Sequence, residues 1–250
     1  MNSEKLASLL DETTPQVHLY SSVPSTNLVA KEYAERGEEE GIFIAGAQTA
    51  GKGRMGRSFY SPKGSGLYIS FLLRPQIAPE NIYLLTTTAA VAVCETLEVF
   101  TGREARIKWV NDILIADKKV CGILVEGGFT EDKLSYAVIG IGINLFPPDE
   151  GFPEELIEKA GAAFKTRKDC VEELTADLIA RLYRLLSEDC YDRYVMRSII
   201  QGKEITLING GEKKEAVVLG LDEKCRLLVR YKSGETERIE SGEVSVEGLY

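Results

Sequence analysis

Histidine is almost absent from this 250-residue chain, where His18 stands alone. That scarcity removes most histidine-based catalysis and histidine-rich metal sites. Cysteine is sparse and unpatterned: Cys94, Cys121, Cys170, Cys190 and Cys225 are odd in number and show no C-x-x-C spacing. They form neither a disulfide frame nor a zinc site, and read as reduced thiols of a cytoplasmic protein. No apolar run reaches the length expected of a membrane span, and the opening MNSEKLASLLDETT lacks the layout of a secretory signal. An excess of positive charge is missing too. The formal net charge is −9, which argues against phosphate-backbone binding by the whole surface. Against that background the local cluster Lys52, Arg54 and Arg57 stands out. With 44% hydrophobic and 28% charged residues, the chain is an ordinary globular protein, with room for one large domain or a medium one with a small appendage.

The pattern along the chain predicts a short helix over 3–10, a strand over 17–20, and a helix through LVAKEYAERG capped by Ser25 or Thr26 and ended by Gly37. Strands follow at GIFIAGAQ and over 66–74, then a helix over 82–100 introduced by Pro79. ARIKWV, ILIAD, KKVCGILVEGGF and KLSYAVIGIGINL read as strands, the middle two joined by a hairpin at Asp117-Lys118. Helical patterns return over 153–160 and 169–199. From about residue 202 the texture changes to short β segments with glycine turns (EITLING, KEAVVLGLD, CRLLVRYKSG, ETERIESGEVSV), as in a small barrel. The expected architecture is α+β, a mixed or antiparallel sheet backed by helices over 1–200, then a small β-barrel domain over 201–250.

Residues 50–68, AGKGRMGRSFYSPKGSGLY, carry five glycines, two lysines and two arginines. Gly51 to Gly56 matches the dinucleotide pattern G-x-G-x-x-G, and Gly46 to Lys52 matches G-x-x-x-x-G-K with Gly53 where Ser or Thr is needed. Either motif must run from a strand straight into a helix. Further glycines and Pro62 forbid that helix, at roughly 1 kcal/mol per interior glycine and about 3 for proline. A loop this long between two apolar strands is usually functional. Its cations and glycines suit a mobile lid, disordered without ligand, that closes over an anion; the alternative is a plain solvated surface loop.

A second constellation lies in KWVNDILIADKKVCGILVEGG. Asn111-Asp112 reads either as an Asx turn, the commoner use of that pair, or as oxygen ligands for Mg²⁺. Lys119 in isolation reads as an exposed hairpin lysine. Gly122 within a strand marks a bulge or a ligand against the backbone. Gly140-Ile141-Gly142 is either a strand kink or backbone bared to a flat ring.

Together these segments resemble the biotin protein ligases, and the match covers most of the chain in the family's order. SVPSTN is similar to the Ser-Thr-Asn biotin motif and QTAGKGRMGRSFYSP to the G-R-G-R-x-G-R loop; GLYISFLL, KWVNDI, KKVCGILVE and GIGINL follow. The resemblance implies a class II synthetase-like sheet with an SH3-like C-terminal barrel. It also implies two chemical steps: biotin and ATP give biotinyl-5′-AMP, and a lysine of a biotin carboxyl carrier protein then takes the biotin. By resemblance, Ser25, Thr26, Asn27, Gln48, Gly51, Lys52, Gly53, Arg54, Tyr68, Ser70, Lys119, Gly122 and Gly140 surround biotin. Arg54, Arg57, Phe59, Asn111, Lys119, Ile143 and Asn144 serve ATP and the adenylate. Lys119, Arg54 and Lys52 act in catalysis, and Asn111 and Asp112 hold Mg²⁺.

Two anions must meet in such a reaction, so cations and Mg²⁺ have to offset their repulsion. No general base is needed, because a carboxylate is already ionised at neutral pH. Departures are Lys52 where the family has Arg, Phe59 where some members have Trp, and Val110 where Pro is common. Larger members carry an N-terminal DNA-binding domain. Only 24 residues precede Ser25 here, so a ligase without repressor activity is expected, with no DNA or membrane partner. Family members occur as edge-strand homodimers or monomers. The rival readings are a lipoate–protein ligase and a non-enzymatic sensor of biotinyl-adenylate.

Overall fold

The structure is a computed structural model that describes residues 1–209, 212–240 and 243–246. Gly210 and Ser241-Gly242, within the expected β segments, and the 247–250 end of the second domain lie outside the described residues.

Seven strands form the main sheet: β1 (Gln16–Tyr20), β2 (Gly41–Ala45), β3 (Gly66–Leu73), β4 (Arg106–Lys108), β5 (Asp112–Ile115), β6 (Lys118–Thr130) and β7 (Lys133–Asn144). Their order is β1-β2-β3-β7-β6-β5-β4. Only the β1–β2 pairing is parallel, so the sheet is mixed, as the pattern of neighbouring strands predicts. A second, five-stranded antiparallel sheet holds β8 (Glu204–Asn209), β9 (Glu212–Leu221), β10 (Leu227–Tyr231), β11 (Thr236–Ile239) and β12 (Glu243–Val246), in the order β11-β10-β9-β8-β12.

Among the described residues five α-helices accompany the sheets: α1 (Ser3–Leu9), α2 (Thr26–Glu35), α3 (Leu84–Thr101), α4 (Val171–Leu185) and α5 (Tyr191–Arg197). α3 lies in the core, and Ala89 through Cys94 are all fully buried. Together with the turn before it, this segment is long and apolar enough by composition to cross a membrane. Its burial here is that of a core helix. α4 turns Leu174, Leu178, Ile179, Leu182 and Leu185 inward at helical spacing.

Two expected helices differ. Over 153–160 there is only a single 3₁₀ turn, Glu154–Leu156. The backbone beyond it pairs sideways with the sheet, where the Lys119 N–H donates to the Lys159 carbonyl and Gly161 N–H to the Lys119 carbonyl. The pattern over 169–199 splits into α4 and α5, and the Asp189 carboxylate accepts from the Tyr191 N–H at 2.9 Å to begin the second.

The two sheets share one hydrophobic cluster, in which Val218, Leu227 and Val229 join Trp109 and Val110. Polar ties reinforce it. Trp109 Nε1 donates to the Cys225 carbonyl at 2.9 Å and the Tyr194 hydroxyl to the Val110 carbonyl at 3.0 Å.

Candidate functional site

Strand register builds the floor of the site. Ser70 pairs with Gly140 and Gly140 with Leu124; one step along, Tyr68 pairs with Gly142 and Gly142 with Gly122. Alternate residues of a strand share a face, so Gly122 on β6 and Gly140 and Gly142 on β7 leave a bare patch on one face of two adjacent strands. The patch is already used by other parts of the chain. A Cβ on Gly140 would lie 2.0 Å from Asn27 Oδ1, and one on Gly142 would lie 2.5 Å from the Phe59 ring. Glycine is required at both positions because a side chain packs against the backbone itself. The flat ring expected on this glycine stretch is, in this structure, Phe59.

One wall is the N-terminus of α2. Ser25 occupies the capping position, but its side chain makes no cap bond. The free helical N–H of Thr26 instead donates to Gln48 Oε1 at 2.9 Å. Ser70 Oγ lies 2.7 Å from both Thr26 Oγ1 and Asn27 Oδ1. Ser25, Thr26, Asn27 and Ser70 are all buried.

The glycine loop forms the lid. It is a narrow arm, not an open segment: Gly53 N–H donates to the Arg57 carbonyl at 2.7 Å and Phe59 N–H to the Gly51 carbonyl at 2.8 Å. Lys52 bridges to Ser58. A three-residue turn, Arg54–Gly56, closes the tip, with Met55 at φ 55° and Gly56 at φ 74°. No longer helix follows the loop, so neither phosphate motif applies. At its base the buried Tyr68 hydroxyl donates to the Pro62 carbonyl at 3.0 Å, and burial pushes that phenol up to about 12.

The cations converge from the other side. Lys119 Nζ sits 2.7 Å from Asp112 Oδ1, and Arg54 Nη1 donates to Asn111 Oδ1 at 3.0 Å. Asn111 Nδ2 also donates to the Ile123 carbonyl at 2.9 Å. Lys119 is therefore anchored at its backbone and aimed inward, unlike an ordinary hairpin lysine. Asn111 and Asp112 act here as partners of cations. Among the described residues no group of three His, Cys, Asp or Glu side chains comes together to hold a metal.

Of the residues singled out from sequence, Ser25, Thr26, Asn27, Gln48, Lys52, Gly53, Arg54, Phe59, Asn111, Lys119, Gly122 and Gly140 line one cavity, which encloses about 50 Å³. Ser70 and Tyr68 stand behind its wall. Arg57 is exposed on the outer arm of the loop. Ile143 is fully buried in the core, and Asn144 Nδ2 donates to the Gly161 carbonyl; neither lines the cavity. Ile141 and Gly142, from the glycine stretch noted in the sequence, line it too, and Ile123 and Leu124 line it without having been singled out. Glu126, reached by Asn27 Nδ2 at 2.9 Å, was also missed, because a strand carboxylate reads as a solvated one.

Comparison with known proteins bears on this arrangement. Residues 200–246 match the biotin protein ligase C-terminal domain. The bifunctional ligase/repressor BirA of Bacillus spizizenii is 42% identical over 156 residues, 62% of this chain and 48% of that protein. The chain thus spans about half the length of the first curated relatives it matches. The biotin–[acetyl-CoA-carboxylase] ligase of Paracoccus denitrificans is 29% identical over 84% of this chain and 92% of its own. A solved structure, the biotin protein ligase of Aquifex aeolicus in complex with biotin and ATP, is similar with a TM-score of 0.77 and 30% identity over 93% of this chain and 98% of that one. The description of the biotin/lipoate A/B protein ligase family matches residues 19–144, about half the chain and all of the strands and loops that build the cavity, and the chain belongs to that family.

Proposed function

We propose that the chain activates biotin with ATP as biotinyl-5′-AMP and transfers the biotin to a lysine of a biotin carboxyl carrier protein. One observation carries the reading. A single cavity joins a buried, hydrogen-bonding end (Thr26, Asn27, Gln48) to a cationic end (Lys52, Arg54, Lys119). Biotin has that same division, a neutral polar ring at one end and a carboxylate at the other. The ligase names of the relatives and the biotin and ATP bound in the Aquifex aeolicus protein support it.

In the first step a biotin carboxylate oxygen attacks the α-phosphorus of ATP. The bond to the bridging oxygen breaks and pyrophosphate leaves with the electron pair. Lys119, Lys52 and Arg54 offset the charge of the two approaching anions. ATP enters as its Mg²⁺ complex. Asn111 and Asp112 serve mainly to aim Arg54 and Lys119, and a metal bond there would first have to exchange those contacts. In the second step the carrier lysine's amine attacks the acyl carbon, the bond to AMP breaks and the amine proton goes to solvent. The lid excludes water from the mixed anhydride meanwhile. The onset of β8 at Glu204 and the 200–246 match support a domain division near residue 200.

Biotin-dependent ATP–pyrophosphate exchange, run in parallel with lipoate, tests the reading. Exchange with biotin followed by labelling of a carrier domain is expected. Exchange with lipoate and none with biotin would overturn it, and biotin binding without any exchange would leave a sensor.

A further inference from the structure

We infer that Glu126, on β6, is a positioning residue that fixes which way round the Asn27 amide sits, and through Ser70 sets the hydrogen-bond polarity of the cavity's neutral end. This rests on the reading that the cavity takes biotin, whose ring places N–H donors on either side of a carbonyl.

The argument is one of donors and acceptors. Asn27 Nδ2 lies 2.9 Å from Glu126 Oε2, and Lys31 Nζ lies 3.2 Å from Glu126 Oε1. Burial opposes ionisation of Glu126, yet the bonds from Asn27 and Lys31 outweigh it and hold the carboxyl below its ordinary value. At neutral pH it is a carboxylate and can only accept. The Asn27 group facing it is therefore the NH₂, which also approaches the Leu124 carbonyl at 3.4 Å.

Asn27 Oδ1 must then point to Ser70 Oγ, 2.7 Å away. An amide oxygen cannot donate, so the single Ser70 proton goes to it. The 2.7 Å contact between Ser70 and Thr26 is accordingly made by the Thr26 hydroxyl proton, which then does not serve the longer 3.2 Å approach of Thr26 Oγ1 to Gln48 Oε1. The opposite end is fixed in the same way. The Phe59 carbonyl accepts from Ser61 Oγ at 2.9 Å, Ser61 Oγ accepts from Gln48 Nε2 at 2.9 Å, and Gln48 Oε1 accepts from Thr26 N–H at 2.9 Å.

Two acceptor-only groups thus terminate the chain of bonds, Glu126 on the sheet and the Phe59 carbonyl in the lid. Between them both amides and all three hydroxyls have one consistent orientation. Asn27 offers the cavity a carbonyl oxygen with a second lone pair, which suits a ligand N–H and rejects a ligand carbonyl. Without Glu126 the amide can turn over and that preference is lost.

The test is exchange kinetics on Glu126→Leu and Glu126→Gln, alone and with Asn27→Ala. Glu126→Leu is expected to raise the biotin KM about tenfold or more and to leave the ATP KM unchanged. Glu126→Gln keeps an acceptor for Asn27 and is expected to restore most of the biotin KM. In the Asn27→Ala background Glu126→Leu should add almost nothing. An unchanged biotin KM, a fall in kcat with both KM values constant, or a full additional factor in that background would overturn the inference. A ligand-free readout separates it from the functional reading. The Asn27 side-chain NH₂ protons should exchange with solvent slowly in the wild-type chain and faster in Glu126→Leu; equal rates would overturn the inference whatever the chain's substrate. Absent biotin exchange in the wild type would instead overturn the functional reading and the role in biotin binding built on it.

Discussion

The two ends of the cavity are built by opposite means. The neutral end is made mostly from side chains on regular elements, Thr26 and Asn27 on a helix and Ser70 on a central strand, buried and linked through Ser70, with Gln48 added from the loop after β2. The cationic end depends on a long arm whose Lys52 is exposed and whose Met55 tip is 66% exposed. Only Lys119 joins it from the sheet. On the proposed reading, recognition of the ring is preset, while Lys52 and Arg54 are carried by the arm. Bonds fixed before the ligand arrives cost no reorganisation at the reacting step. A movable arm can admit ATP and then exclude water.

Removing the one rigid cation should have the largest effect. Lys119→Ala is expected to slow adenylate formation by about a hundredfold or more in single-turnover assays. A near-normal rate would place all the useful charge on the arm. At the neutral end Gly140→Val should expel the Asn27 amide from the backbone. It should raise the biotin KM severalfold to tenfold and lower stability by about 1–3 kcal/mol, read by exchange kinetics and thermal melting. An unaffected biotin KM would show that this end adapts as freely as the other. Phe59→Ala removes the arm's ring from Gly122 and Gly142. With stacking worth about 0.5–1.5 kcal/mol, a twofold to tenfold rise in the ATP KM is expected, and biotin KM should barely move. The smallest effect is a change of rate: trypsin should cut after Arg54 and Arg57 more slowly once biotin and ATP are present. Equal cutting would mean that the arm does not tighten.

What could be read in the sequence follows the same division. The strands were plain from alternation and turns, and the cationic loop from its glycines, because both signals are local. The structured arm was not foreseen: its bonds from Gly53 to Arg57 and Gly51 to Phe59 are backbone pairs that composition does not announce. The segment 153–160 looked helical because its spacing is, and it does turn locally, but at its end the Lys159 carbonyl accepts from Lys119, forty residues earlier in the chain, and the turn stops there. Asn111 and Asp112 read from the residues as an Asx turn or as oxygen ligands, and as holders of Mg²⁺ only by resemblance. Only the fold shows Arg54 and Lys119 against them. Glu126 was silent for the same reason, since its partner Asn27 is 99 residues distant.

The bond from Trp109 to the Cys225 carbonyl, with that from Tyr194 to Val110, has a wider consequence. The corner between β4 and β5 that presents Asn111 is clamped from behind by the C-terminal sheet and by α5. That sheet works as a splint for the floor of the cavity. Its sequence is not free to change at the seam, since any shift of its backbone at Cys225 must be absorbed two residues from the side chain that steers Arg54.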